Sequence, residues 1–356
     1  MATKQKMALL IAAHNEELVL EKTITSAIHA GMKPENIYVV DDYSSDSTSR
    51  IAKSLLPKSN VSRVHRSGKG LAISKAIKRF EFAERYYWLH IADADGGFAP
   101  NYFRVLRRNI RKNYIAATGY VRSLPGRDVS QYRVFEYTIG MELHRRLQSM
   151  FGVISVIPGP TSCFRTDILK SLKFNTGSLT EDFDVTLQIH RQKLGKIQYI
   201  PNAYVYTQDP RTVKDFYKQV TRWNRGVMQG LVRHKIGRKK QKIDAYLSMQ
   251  IFQSLLLFGN FFIWVPYYSV TARFGGAEFL AATFVFDVLL TFATTLFTSL
   301  RSSRYDIVSA FPYIYLIRWL NVFIFMKAFL DVIILRRFRI SDGQWSTLSR
   351  RYSNSH

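Results

Sequence analysis

Residues 37–48 read Ile37-Tyr38-Val39-Val40-Asp41-Asp42-Tyr43-Ser44-Ser45-Asp46-Ser47-Thr48. A short apolar run of this kind is how a strand buried on both faces reads. Two carboxylates follow it directly, and a helical pattern begins at 47 and runs to 55. Working outward, residues 9–13 and 87–91 form two more apolar runs, and helical patterns at 18–30 and 72–84 join the one at 47–55 in separating them. This β-α-β-α-β order predicts an α/β fold with a mainly parallel sheet. Ligands of such sheets bind beyond the carboxyl ends of the strands. Asp41-Asp42 follows the second strand and Asp93-Ala94-Asp95 follows the third, so both acidic clusters are expected at one edge of the sheet.

The 356 residues suffice for one large domain or two smaller ones, and 25 Phe and 20 Tyr allow a sizeable core. A net charge of +25 calls for an anionic partner: nucleic acid, anionic lipid or nucleotide phosphates. Cys163 is the single cysteine, which excludes an intramolecular disulfide. The apolar run at 8–13 is too short for a signal peptide and reads as a buried strand.

The composition changes near residue 245. Residues 247–272 hold no charge, 279–300 hold only Asp287, and 308–335 are apolar but carry Arg318, Lys327 and Asp331. About 20 apolar residues span a bilayer. Buried helices of a large soluble core are the alternative, but three such stretches in a row favour a membrane. Residues 233–242 hold six basic residues and no acid, which places that end in the cytosol and accounts for part of the charge without nucleic acid. No recognised nucleic-acid motif is present, which argues against that class.

Asp41-Asp42 at a strand end suits a ribose or a base, although Asp46 or Ser47 also reads as a helix N-cap after a turn. Asp93-Ala94-Asp95, followed by Gly96-Gly97, suits a hard divalent cation that bridges phosphates. Ser67-Gly68-Lys69-Gly70 permits close backbone approach and places Lys69 to meet a diphosphate; an ordinary glycine-punctuated turn reads the same way. In Thr180-Glu181-Asp182 an acid can serve as general base, or the acids can simply cap a helix start. Gln219, Arg222 and Trp223 fall on one helix face and suit phosphate and sugar recognition, and the same helix can lie on a membrane.

These elements, in this order, resemble glycosyltransferase family 2 over about residues 7–240, and within it the membrane-embedded branch of hyaluronan, chitin, cellulose and poly-N-acetylglucosamine synthases. Thr180-Glu181-Asp182 followed by Gln219-Val220-Thr221-Arg222-Trp223 is the specific part. Tyr206-Thr207-Gln208-Asp209-Pro210 and the stretch from Gly159-Pro160 to Phe164-Arg165 also look like family segments. The resemblance implies a GT-A type nucleotide-binding domain with a mainly parallel sheet, amphipathic interfacial helices and C-terminal transmembrane helices. It implies that Ala13, Asn15, Glu17 and Asp42 line the nucleoside pocket and that Lys69 lies near the nucleotide. Asp93 and Asp95 would hold the diphosphate through Mg2+ or Mn2+, and Asp182 would be the base, beside Glu181. Gly159 would belong to an acceptor-contacting stretch, while Gln219, Arg222 and Trp223 would grip diphosphate and acceptor sugar. The family has Pro, Gly, Gly and Asn where Ala12, Tyr43, Ser47 and Ser74 stand, positions that bear on the donor rather than the reaction class. The one or two N-terminal membrane helices common in processive synthases have no counterpart expected within residues 1–245.

The resemblance thus implies an inverting transferase acting from a UDP-sugar, N-acetylglucosamine or glucose, on a growing polysaccharide. A single-transfer enzyme acting on a lipid or lipid-linked acceptor is the alternative. The retained acids argue against a catalytically dead membrane scaffold. The expected organisation is a cytosolic catalytic domain at 1–210, interfacial helices at 211–245, a membrane region at 246–335 and a basic cytosolic tail at 336–356, in the cell membrane. The resemblance also allows an accessory membrane subunit or a homo-oligomer. A cytosolic tail needs an even number of crossings, which makes 308–335 the stretch expected to lie at the interface or to fold as two pieces. A plain third span with an outside tail is the alternative. Gly343-Gln344-Trp345-Ser346-Thr347 of a cytosolic tail is expected near the catalytic face.

Overall fold

A computed structural model describes residues 5–174, 177–271 and 275–338. In chain order the elements begin β1 (Gln5–Ala13), α1 (Leu20–His29), β2 (Ile37–Asp41), α2 (Thr48–Leu55), β3 (Val61–Arg63) and α3 (Lys69–Arg79). There follow α4 (Phe82–Arg85), β4 (Tyr86–Asp93), β5 (Gly97–Phe98), α5 (Tyr102–Asn109) and β6 (Tyr114–Ser123). Next come α6 (Val129–Ile139), α7 (Arg145–Phe151), β7 (Ser162–Arg165), α8 (Glu181–Arg191) and β8 (Lys196–Thr207). The chain continues with α9 (Val213–Arg233), α10 (Lys242–Gly259), α11 (Val265–Thr271), α12 (Gly276–Ser302), α13 (Asp306–Ser309) and α14 (Phe311–Phe329). The described residues divide into two compact units, one holding 5–124 and 145–208, the other 125–144 and 209–338. Residues 125–144 thus group with the later helices although they lie inside the 1–210 stretch.

The first unit is built on one sheet of order β3-β2-β1-β4-β7-β6-β8-β5. β3, β2, β1 and β4 are mutually parallel, as expected, while β7 runs antiparallel to both β4 and β6. Leu9 and Ile11 on one face, with Ala27 and Ile24 of α1 above them, are fully buried in the main core. The continuous apolar runs therefore mark strands covered on both sides. The helical pattern at 72–84 is in fact two helices. Glu81 between them is left-handed (φ 50°), and Phe80 and Phe82 on either side turn into an aromatic cluster with Tyr38 and Tyr86.

The second unit is helical. Val129, Tyr132 and Phe135 of α6 pack with Phe216 and Val220 of α9 and with Ile314, Ile317 and Ile324 of α14. Two helices among the described residues are long and apolar enough to cross a membrane, Lys242–Thr271 and Gly276–Ser302. The first runs through a π-turn at Asn260–Trp264. The third apolar stretch breaks into α13, α14 and a π-turn at Leu330–Ile334, and its charges are partnered inside the unit. Arg318 pairs with Asp287, Lys327 Nζ lies 2.9 Å from the Tyr217 hydroxyl, and Asp331 pairs with Arg225 at 2.8 Å. Charges among apolar helices are tolerated when satisfied in this way. The tail segment at Gly343–Thr347 lies outside the described residues.

Candidate active site

Parallel register decides where the acids meet. Ala13 of β1 pairs with Asp41, and Ala12 pairs with Asp93, so β2 and β4 end beside each other's neighbour at one sheet edge. Because β7 is antiparallel to β4, the Gly159–Thr161 turn that precedes it arrives at that same edge.

Three segments distant in sequence converge there. Lys69, the first residue of α3, places Nζ 2.5 Å from Asp93 Oδ1 and 2.5 Å from Glu181 Oε1. Burial alone would lower the lysine's pKa, but the two carboxylates outweigh it and hold the ammonium above its usual range. Asp182, next to Glu181 in the first turn of α8, accepts from the Phe183 N–H at 2.8 Å and from the Gly159 N–H at 3.2 Å. Burial, and after it the neighbouring Glu181 charge, push the Asp182 carboxyl up to about 6, against the opposing pull of Lys69. Such a group is ionised at neutral pH yet more basic than an ordinary carboxylate, which is what a general base needs.

Gly159 is tight against this cluster: a Cβ there would lie 2.8 Å from Asp93 Oδ2. Asp95 sits half-buried in the turn after β4, and that turn is pinned by Thr23 of α1, whose hydroxyl lies 2.7 Å from the Ala94 carbonyl oxygen and 2.8 Å from that of Gly96. Thr23 carried no signal of its own in the sequence beyond its place on the buried face of a helix.

The residues expected to line the nucleoside pocket do structural work as well. Asp42 is fully buried. Its Oδ1 accepts from the Ser67 N–H at 2.8 Å and its Oδ2 from the Gly68 N–H at 2.8 Å. Asp42, expected to line the nucleoside pocket, thus also holds the loop that delivers Lys69. Ala13 ends β1 and is buried. Asn15 Oδ1 accepts from the Ser45 N–H at 2.8 Å, and Glu17 Oε2 from the Ser47 N–H at 2.9 Å, which stitches the loops after β1 and β2 together. Tyr43 occupies the left-handed region (φ 62°), where glycine is unstrained and another residue costs about 1 kcal/mol. Its half-exposed ring stacks on His65 and lies 4.8 Å from the Arg63 guanidinium.

Gln219, Arg222 and Trp223 lie on α9 in the second unit, all half-buried. Gln219 and Trp223 both meet Arg133 of α6, a fully buried residue that the sequence reading missed. The signal available for it was the i,i+3 spacing to Glu136 in an aromatic-rich helix.

Asp93 and Asp95 offer only carboxylate oxygens, the donors a hard divalent cation prefers. The Lys69 ammonium between Asp93 and Glu181 shows that the acids at this edge accommodate positive charge. Among the described residues no group of three or more His, Cys, Asp or Glu side chains could hold a metal by itself. Asp93 and Asp95 have the donor chemistry for such a cation, which would need further ligands from beyond these side chains.

A mainly parallel sheet with paired acids at its strand ends and a further acid at a helix start is the arrangement expected of a GT-A domain. Residues 5–226 match the model of the glycosyltransferase like family 2, and the chain belongs to that family. The chain is similar to the poly-beta-1,6-N-acetyl-D-glucosamine synthase of Staphylococcus epidermidis, with 24% identity over 97% of this chain and 87% of that protein. The synthase of Staphylococcus aureus (strain COL) is 24% identical over 66% of this chain and 58% of its own length. Among solved structures, the mannosyltransferase PcManGT from Pyrobaculum calidifontis, in complex with GDP-Man and Mn2+, superposes with a TM-score of 0.59. It is 14% identical, over 90% of this chain and 88% of that one, and shares the fold.

Proposed function

We propose that this membrane glycosyltransferase moves N-acetylglucosamine from a UDP-activated donor to a growing polysaccharide, with inversion at the anomeric carbon. Similarity to poly-N-acetylglucosamine synthases along nearly the whole chain supports the sugar and the polymeric acceptor; glucose is the next donor to test. The observation that carries the mechanism is Asp182, a half-buried carboxylate raised to about 6 that accepts from the Gly159 N–H, next to the Glu181 that pairs with Lys69. Asp182 removes the proton from the acceptor hydroxyl as that oxygen forms its bond to the anomeric carbon and the diphosphate departs. Lys69, held at the junction of Asp93 and Glu181, contributes positive charge toward the leaving diphosphate. A divalent cation held by Asp93 and Asp95, Mg2+ or Mn2+, would supply further charge neutralisation for the same leaving group. Asn15 and Glu17 order the loops at the nucleoside end, and Gln219, Arg222 and Trp223 take the family role of gripping diphosphate and acceptor.

The same proposal places the catalytic domain, 1–210, in the cytosol at the cell membrane, with 211–245 interfacial, 246–335 membrane-embedded and 336–356 a cytosolic tail. A lipid-linked acceptor is the second reading, favoured by the small number of long apolar helices, two among the described residues. The test is release of UDP from a panel of nucleotide sugars by the purified protein, with product length read on a gel. A ladder of products from UDP-N-acetylglucosamine supports a polymer; a single lipid-soluble product supports the second reading. Turnover with GDP-mannose alone would overturn the donor assignment.

A further inference from the structure

Among the described residues of the second unit, the largest fully buried side chain is a cation. Arg133 of α6 is 0% exposed, among apolar neighbours. Its guanidinium donates through Nη1 to Glu136 Oε2 and through Nη2 to Gln219 Oε1. Its charge centre lies 4.7 Å from the Phe216 ring and 4.8 Å from the Trp223 ring. Glu136 reaches onward: its Oε1 accepts from Asn321 Nδ2 of α14 at 3.0 Å. One continuous polar chain therefore joins α9, α6 and α14.

Burying a charge costs several kcal/mol that its ion pair only roughly recovers, so such a residue is poor evidence for stability and better evidence for a fixed arrangement. Here the arrangement has a chemical sense. A guanidinium has donors and no acceptor, so the group of Gln219 that faces it must be the carbonyl oxygen. The amide orientation, normally ambiguous, is settled by its partner. The NH2 end is left as the part of Gln219 able to bind an oxygen acceptor. The cation over the Trp223 ring likewise restrains the indole.

We propose that Arg133 is a positioning residue for transfer, locking Gln219 as a hydrogen-bond donor and Trp223 in one orientation, with Glu136 and Asn321 anchoring that lock to α14. Gln219 and Trp223 serving the reaction rests on the function proposed above, whereas the lock itself does not. Gln219 then acts on oxygen atoms of diphosphate or sugar through its NH2 group, and its acceptor end takes no part.

The experiment uses the full chain in detergent. Arg133→Lys keeps the charge and the Glu136 pair but loses the fork that reaches Gln219 and stacks on Trp223. It is expected to lower kcat about ten- to hundredfold with little change in donor KM, the scale of a misplaced contact. Gln219→Glu keeps an oxygen toward Arg133 but has no NH2, so it is expected to fall as far as Gln219→Ala. The double variant Arg133→Lys/Gln219→Ala is expected to lose less than the two single losses combined, because the Gln219 part of the Arg133→Lys loss is already gone and only the release of Trp223 is added. Additive losses, or a Gln219→Glu enzyme of normal kcat, would overturn the proposal. A second readout is independent of turnover. With Trp88, Trp264, Trp319 and Trp345 replaced by Phe, the emission of Trp223 is expected to shift when Arg133→Lys is added. Unchanged emission overturns the lock even if the chain transfers no sugar from any donor tried. A shift without activity upholds the lock and faults the donor assignment instead.

Discussion

Gly159 stands directly against Asp93: a Cβ at residue 159 would lie 2.8 Å from Oδ2 of that aspartate and 3.2 Å from Oδ1. The same glycine donates its N–H to Asp182. One backbone unit thus touches both the acid proposed to bind metal and the acid proposed to be the base. Gly159→Ala is expected to displace Asp93 or the 159–161 turn. A misplacement of that size costs up to about a hundredfold in turnover. Melting temperature and UDP release should be measured together; normal turnover in a folded Ala variant would show that the close approach is dispensable.

Asp182→Asn keeps the shape and removes the base. Turnover is expected to fall about 10²–10⁴-fold, while UDP binding followed by calorimetry stays near wild type. Retained turnover would shift the role of base to another group.

The pH dependence has a definite sign. Asp182 is raised to about 6, so its active, ionised form dominates above that pH and is lost as pH falls through it. For the free enzyme kcat/KM should therefore drop below pH 6, tending to tenfold per unit. A profile flat down to pH 5 would separate Asp182 from the rate.

Lys69 bridges Asp93 and Glu181, and Lys69→Met leaves both carboxylates facing each other without their cation. The change is expected to lower stability by about 2 kcal/mol and to weaken binding of UDP. Denaturant unfolding checks the first and calorimetry the second; a neutral result in both would mean the bridge is only a resting contact.

Activity is expected to vanish in excess chelator and to return with Mg2+ or Mn2+, and Asp95→Asn should raise the metal concentration needed for half-maximal rate. Full turnover in chelator would leave Lys69 as the principal charge available to the leaving group.

Much of this was legible along the chain, because the elements follow from local periodicity. Runs such as Val39-Val40 and Leu9-Leu10-Ile11 announce strands buried on both faces, and the parallel order then places Asp41 and Asp93 at one edge whatever the side chains do next. The helix start at Thr180-Glu181-Asp182 and the shared face of Gln219, Arg222 and Trp223 follow from helical spacing in the same way. Tertiary structure decided the partners. That Asp42 accepts from the Ser67 and Gly68 backbone depends on a loop folding back across the sheet edge. Whether residue 159 must be glycine depends on an antiparallel strand bringing it to Asp93. The break at Glu81 falls between Phe80 and Phe82, which both meet Tyr38 from elsewhere in the chain. Arg133 is buried only because α6, α9 and α14 close around it. Periodicity is a property of neighbours in the chain; hydrogen-bond partners and the burial that shifts a pKa are set by segments distant in sequence, and only folding brings those together.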